Sequence, residues 1–262
     1  MKKVLKLEEP PALRAYREAN PNATWENFKN ECQEGHKAVQ ATLRQNQRNL
    51  CAYCENSMPT FCGLGHPDFR VEHFHPKKRP PEPPPNWGLD WRNLLGVCTG
   101  GNIKDVGETQ RFTSPDHSCD VPKADQVLDD IILNPLWHVP AFPMIFKFDE
   151  QGGMDVDMEQ CPEDLQRRAR KTIEHLNLSP AESKKHTKIP RLIRFREAVI
   201  RKLRAELVQL IKQGKTRDAA MEELAMAYFQ ENPEASPRFF SCIRWYLGPF
   251  AEERLKRIGY NG

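Results

Sequence analysis

Nowhere in the 262 residues do about 18 apolar residues run together. Met1-Lys2-Lys3-Val4-Leu5 carries basic residues without the apolar stretch of a secretion signal. No membrane partner is therefore expected, and the expected address is the cytoplasm. An internal repeat is also missing, which argues against solenoids and propellers. Acids are almost missing from one segment: from Lys184 to Arg204, Glu197 stands alone against nine Lys or Arg (Lys184, Lys185, Lys188, Arg191, Arg194, Arg196, Arg201, Lys202, Arg204). That asymmetry suits a polyanion such as nucleic acid, and it equally suits a solvated helix face. The net charge of +3 does not decide between the two.

Eight cysteines are present without a secretion signal, and two stand as Cys51-Ala52-Tyr53-Cys54. Metal ligation is the reading that fits, since thiolates at that spacing can hold one tetrahedral zinc ion from a tight turn. A redox C-x-x-C of the thioredoxin type requires a strand before it and a helix after it. Loop sequence rich in Pro, Gly and Phe follows instead.

Helical spacing marks both ends of the chain. Ala12, Leu13, Tyr16 and Ala19 form a short amphipathic run closed by Asn20-Pro21-Asn22, and Thr24 is placed as the N-cap of a helix that runs through Val39, Leu43 and Asn46 to Cys51. Phe69-Arg70-Val71-Glu72-His73-Phe74 alternates as a strand does. Lys77 to Pro85 is proline-rich and reads as extended loop between two strands. A helix is expected over Lys123 to Ile132, a hairpin at Met144 to Val156 turning at Gly152-Gly153, a long helix from Pro190 through Leu192, Phe195, Val199, Leu203, Leu207, Leu210 and Ile211, another over Thr216 to Gln230, and a last one from Pro237 to Ile258.

Four features fall in order: Cys51-x-x-Cys54; Glu72-His73-Phe74-His75-Pro76-Lys77; Trp91-Arg92-Asn93-Leu94-Leu95 with Cys98; and Cys119-Asp120-Val121-Pro122-Lys123. Together they resemble the HNH endonucleases that carry a four-cysteine zinc knot. The resemblance implies an α+β, mainly helical chain in which a ββα-metal module (residues 51–125) lies between an N-terminal helical segment (1–50) and a hairpin plus C-terminal helical region (126–262). It implies structural zinc on Cys51, Cys54, Cys98 and Cys119, with Cys62 or His66 as substitutes for Cys119, because the family's last cysteine pair is C-x-x-C and here a Gly-rich insertion separates Cys98 from Cys119. His73 matches the general base, Glu72 the acidic metal ligand, Asn93 the middle asparagine and Asp120 the last site residue, usually His or Asn.

Elementary chemistry agrees with those roles. Neutral imidazole can deprotonate water near pH 7. Mg2+ or another hard divalent ion would take carboxylate oxygens from Glu72 and Asp120 and stabilise the departing 3′ oxygen. Asn93 would orient the His73 loop by hydrogen bonding. Neighbouring residues on an ideal strand point to opposite sides, so Glu72 and His73 share a site only if the backbone bends or the ion sits at the strand's end. No step uses a ribose 2′-hydroxyl, so DNA and RNA both qualify. Lys77, Lys123, Lys188, Arg191 and Arg194 are the candidate nucleic-acid contacts. His66, His75, His138, His175 and His186 read as structural, Cys32, Cys161 and Cys242 as buried thiols, and Trp87, Trp91 and Trp137 as packing residues, although an aromatic beside a phosphate groove can stack a base.

Ile132-Leu133-Asn134-Pro135, the hairpin at Phe146 and Phe148, and Thr172-Ile173-Glu174-His175-Leu176-Asn177-Leu178 before a basic helix extend the likeness to the PtuB family of anti-phage HNH effectors. That resemblance implies a PtuA-type ABC ATPase as partner and, in some systems, a retron reverse transcriptase with its msDNA. A zinc-stapled module that binds nucleic acid or a partner without cutting is the alternative.

Overall fold

Local chemistry sets the first helices. The computed structural model describes residues 1–58, 68–77, 86–100, 117–179, 191–231 and 233–262. Helix α1 (Pro11–Ala19) starts with proline in its first turn. Helix α2 (Trp25–Glu31) is capped by Thr24, whose hydroxyl accepts from Asn27 N at 3.1 Å while the Asn27 side chain accepts from Thr24 N at 3.0 Å. The single helix expected from Thr24 onward is two: at Cys32 the backbone leaves helical geometry (φ −127°, ψ 63°) and α3 (Gln33–Asn46) begins. The bend lets Gly35 pass the Cys32 side chain, where a Cβ would come within 2.6 Å of Sγ.

Strands β1 (Arg70–His73) and β2 (Leu94–Val97) pair antiparallel, with Glu72 opposite Leu95 and His73 opposite Leu94. Gln47, at the end of α3, clamps this hairpin. Its amide donates to Gly96 O at 2.7 Å and accepts from Gly96 N at 2.7 Å. A Cβ at Gly96 would approach the Phe69 ring to 2.8 Å, so only glycine lets the hairpin and Gln47 meet this closely.

The expected helix over Lys123 to Ile132 is not there. One turn, α4 (Asp120–Lys123), is followed by Ala124 at φ +49°, and the chain then buries Leu128, Ile132 and Leu133 from turns. The second hairpin, β3 (Phe146–Phe148) with β4 (Met154–Val156), forms as expected around Asp149, whose carboxylate accepts from Gln151 N and Gly153 N. Helix α5 (Glu163–His175) reaches across to Leu133, whose N–H donates to Thr172 Oγ1 at 2.8 Å.

Helix α6 (Arg191–Lys212) buries Leu192, Ile200, Leu203 and Leu207, and α7 (Arg217–Tyr228) follows with Thr216 as its cap. The last expected helix is again two, α8 (Phe240–Leu247) and α9 (Pro249–Arg257), because Gly248 sits at φ +54° and Pro249 can only begin a helix. One apolar cluster runs from α1 through the β1–β2 hairpin to β3, α5 and the start of α6; a second joins the C-terminal half of α6 to α7, α8 and α9. Among the described residues the protein is thus mainly helical with two small antiparallel sheets, and no helix there is long and apolar enough to cross a membrane.

Candidate metal centre and active site

Three segments bring four thiols together. Cys51 and Cys54 lie in the turn after α3, which Leu50 and Ser57 close with a β-bridge. Cys98 leaves the end of β2, and Cys119, at φ +65°, precedes α4. All four are buried, and their sulfurs lie within 4.8 Å of one another, with Sγ–Sγ distances of 3.7 Å (Cys51–Cys119), 3.6 Å (Cys54–Cys98) and 3.7 Å (Cys98–Cys119). Zn–S bonds of about 2.3 Å in a tetrahedron require sulfurs about 3.8 Å apart. The donor set therefore fits zinc in type, number and spacing, and Cys119 completes it. Cys62 and His66, the alternatives, lie outside the described residues.

The surroundings match an anionic centre. Four thiolates around a dication leave two negative charges, and Arg191 lies close enough to feel Cys98, Cys54 and Cys119. Burial opposes ionisation at Cys54, but hydrogen bonds from the other thiols and the Arg191 charge hold it well below the usual range; burial pushes Cys51 and Cys119 up. Arg191 is 3% exposed and donates to Ser118 Oγ at 2.6 Å. Glu55, just past Cys54, accepts from Ser241 N at 2.7 Å and from Ser241 Oγ at 2.6 Å, which ties α8 to the same turn.

The hairpin carries the second cluster, and neighbouring strand positions divide it between two faces. On one face Glu72 meets Lys123 Nζ at 2.9 Å and Tyr53 Oη at 3.4 Å. Burial pushes Glu72 up to about 7; Lys123 opposes that shift and the Asp120 charge adds to it. Asp120 pairs with Arg70 at 3.1 Å, and burial raises it to about 6 against the Arg70 charge. Its Oδ1 is buried with no hydrogen-bond partner among the described residues, an acceptor position that a cation would satisfy. On the other face His73 packs edge-on to Trp25, with ring centroids 5.1 Å apart, and places Nε2 3.1 Å from Gly88 O. Burial lowers its pKa to about 4. The structure thus gathers Glu72, Asp120, Lys123 and Tyr53 on one face and sets the His73 ring on the other.

Asn93 spends its side chain on the loop beyond His73. It accepts from His75 N at 2.7 Å and donates to His75 O at 2.9 Å and Trp87 O at 2.8 Å.

Of the candidate nucleic-acid contacts, Lys123 and Arg191 require correction. Lys123 is 1% exposed and is held by Glu72 and His73 O, while Arg191 serves the thiols, so neither presents its charge at the surface. Lys77 pairs with Glu26 at 2.6 Å, Arg194 is exposed on α6, and Lys188 lies outside the described residues. Two residues read from the sequence as structural or packing residues stand beside the site. His75 Nδ1 lies 3.1 Å from Asp129 Oδ1, a partner 54 positions away in irregular chain that no spacing rule announces, and Trp137 is 62% exposed instead of packed.

No family model matches the sequence. A candidate HNH endonuclease of retron Ec83 from Escherichia coli is 36% identical over 103 residues, a stretch that covers 38% of this chain and 38% of that protein. The likeness supports a nuclease in general.

Proposed function

We propose that the chain is a metal-dependent HNH endonuclease that hydrolyses phosphodiester bonds, with zinc on the four thiols as a structural staple. The observation that carries this reading is the His73–Gly88 contact. A carbonyl only accepts, so Nε2 carries the proton and Nδ1 keeps the lone pair, and burial keeps the ring neutral at physiological pH. The neutral ring thus keeps a lone pair on Nδ1, as a general base for water needs. Asn93 fixes the backbone at His75 and thereby the end of the strand that bears His73. Glu72 and Asp120 would hold a hard divalent cation, supported by the unpartnered Asp120 oxygen, on the face opposite the His73 ring, so that one phosphate reaches both only at the end of the strand, which is His73 itself. Bound there, such a cation would supply positive charge to a phosphate oxygen and to the departing 3′ oxygen. In the absence of such a cation, Lys123 and Arg70 neutralise the two carboxylates.

The retron in the relative's name is compatible with a retron context, and the sequence resemblance to the PtuB family adds to this reading an anti-phage role with a PtuA-type ATPase and, in a retron, a reverse transcriptase and its msDNA as partners. The second reading, a binding module without cleavage, draws on the 6% exposure of His73 and on the two ion pairs that occupy the carboxylates. One experiment separates them. The protein is co-expressed with its genomic neighbours and assayed with Mg2+ on plasmid DNA and total cellular RNA, as wild type and as His73→Ala. A loss of about a hundredfold or more, with zinc content and melting temperature retained, is expected. Cleavage that survives the substitution moves the chemistry elsewhere.

A further inference from the structure

Trp137 leaves 62% of its surface in water, and the turn that carries it is held in shape. Asn134 Oδ1 accepts from Leu136 N at 2.9 Å, Asn134 N donates to His138 Nδ1 at 2.9 Å, and Asn134 O accepts from the backbone N–H of both Trp137 and His138. Below it, Arg168 donates to Ile132 O at 3.0 Å. The braced turn holds a large aromatic group outward, beside a cavity.

Beside it opens a cavity of about 400 Å3 whose lining includes Trp87, Arg92, Asn93, Asp129 and Trp137. That volume lies within the roughly 300–1,000 Å3 typical of small-ligand pockets. The wall is preorganised. The Trp87 ring rests on the His75 ring (centroids 4.5 Å apart, planes 30°), His75 is held by Asp129 at 3.1 Å, and Asn93 bonds the carbonyls of both Trp87 and His75. The pocket therefore shares the Asn93 brace with the strand that carries His73. Arg92, exposed, also lines the adjoining cavity of about 550 Å3 toward Arg14 and Arg17 and puts a cation at the boundary of the two.

We propose that this pocket receives one unstacked nucleobase of single-stranded or looped nucleic acid, with Trp137 and Trp87 as stacking surfaces, Asp129 as acceptor for an amino-bearing base edge and Arg92 on the adjacent phosphate. Stacking accepts every base, because each has a π-face. A carboxylate favours guanine, whose N1–H and N2–H donors lie side by side. Paired bases in a duplex are stacked and cannot enter without extrusion. The inference rests on the nuclease reading for its substrate class and narrows it to unpaired strands.

The test is binding by fluorescence anisotropy, with the zinc-loaded full chain in Ca2+, of a short single-stranded oligonucleotide and of the same sequence in a blunt duplex. The single strand is expected to bind at least about tenfold tighter, Trp137→Ala to weaken it about five- to hundredfold, and Trp137→Phe to retain most of the affinity. A 2-aminopurine probe in the strand should lose its fluorescence quenching with Trp137→Ala, and Asp129→Asn should reduce a preference for guanine over thymine. Equal binding of strand and duplex, or affinity indifferent to Trp137→Ala, overturns the proposal and leaves the indole as a protein-docking contact. In that event, His73-dependent cleavage would leave the nuclease reading standing. Conversely, Trp137-dependent strand binding without any His73-dependent cleavage keeps the pocket and removes the nuclease.

Discussion

Two buried polar clusters meet on the β1–β2 hairpin, and they are satisfied in opposite ways. Sulfurs of the four cysteines point at one another across 3.6–3.7 Å, the spacing of a tetrahedral zinc site. Glu72 and Asp120 instead each hold a cation of the chain itself, Lys123 and Arg70. The thiol cluster has the donor set and spacing of a zinc site, whereas the acidic face is paired within the chain. The widest break in that comparison comes at the knot. Structural zinc contributes roughly 10–16 kcal/mol of binding free energy, comparable to or above the roughly 5–15 kcal/mol by which domains are stable. Cys98→Ala, or stripping zinc with a strong chelator, is therefore expected to abolish cooperative melting and to drop zinc below one equivalent per chain. A zinc-free Cys98→Ala protein that melts like the wild type would falsify the structural role.

The acidic face should yield less. Lys123→Met removes the partner of a buried carboxylate, a loss of roughly 3–5 kcal/mol, so the chain should still fold but melt several degrees lower. The sharper part of the prediction is its reversal. If Lys123 stands in for an external cation, Mn2+ or Mg2+ in the millimolar range should raise the melting temperature of Lys123→Met more than that of the wild type, with zinc content equal in both. No differential shift would mean that Glu72 and Asp120 do not hold an ion, and the chemistry assigned to them would go.

Short-range patterns made much of this legible. The Thr24 cap, the β1 strand, the Asp149 hairpin and the Cys51-x-x-Cys54 turn each act over a few residues, and each forms as expected, although burial along β1 does not alternate. What misled was charge read without its partner. Lys and Arg are ordinarily exposed, but Lys123 has Glu72 and Arg191 has the thiols, partners 51 or more positions away that no local pattern reveals. Arg196 is the same case: it is 2% exposed and donates to Leu178 O at 2.7 Å, so the basic segment from Lys184 to Arg204 is partly interior. Helix ends were overrun where a single residue turns the chain, as at Cys32, Ala124 and Gly248, since periodic apolar spacing continues on both sides of each break.

That division of α6 into interior and surface cations sets the smallest effect. Arg204 pairs with Glu150 at 3.0 Å, both side chains more than half exposed, so water and salt screen the pair. Arg204→Ala should cost less than about 1 kcal/mol in a urea melt, well below Lys123→Met. Its value lies in a second measurement. If the outer face of α6 tracks a nucleic-acid backbone, removing one phosphate contact lowers the slope of log affinity against log salt by about one. A measured slope unchanged by Arg204→Ala, with affinity also unchanged, would place the substrate wholly on the hairpin side, where Arg92 and Trp137 stand, and leave the surface of α6 to solvent or to a protein partner.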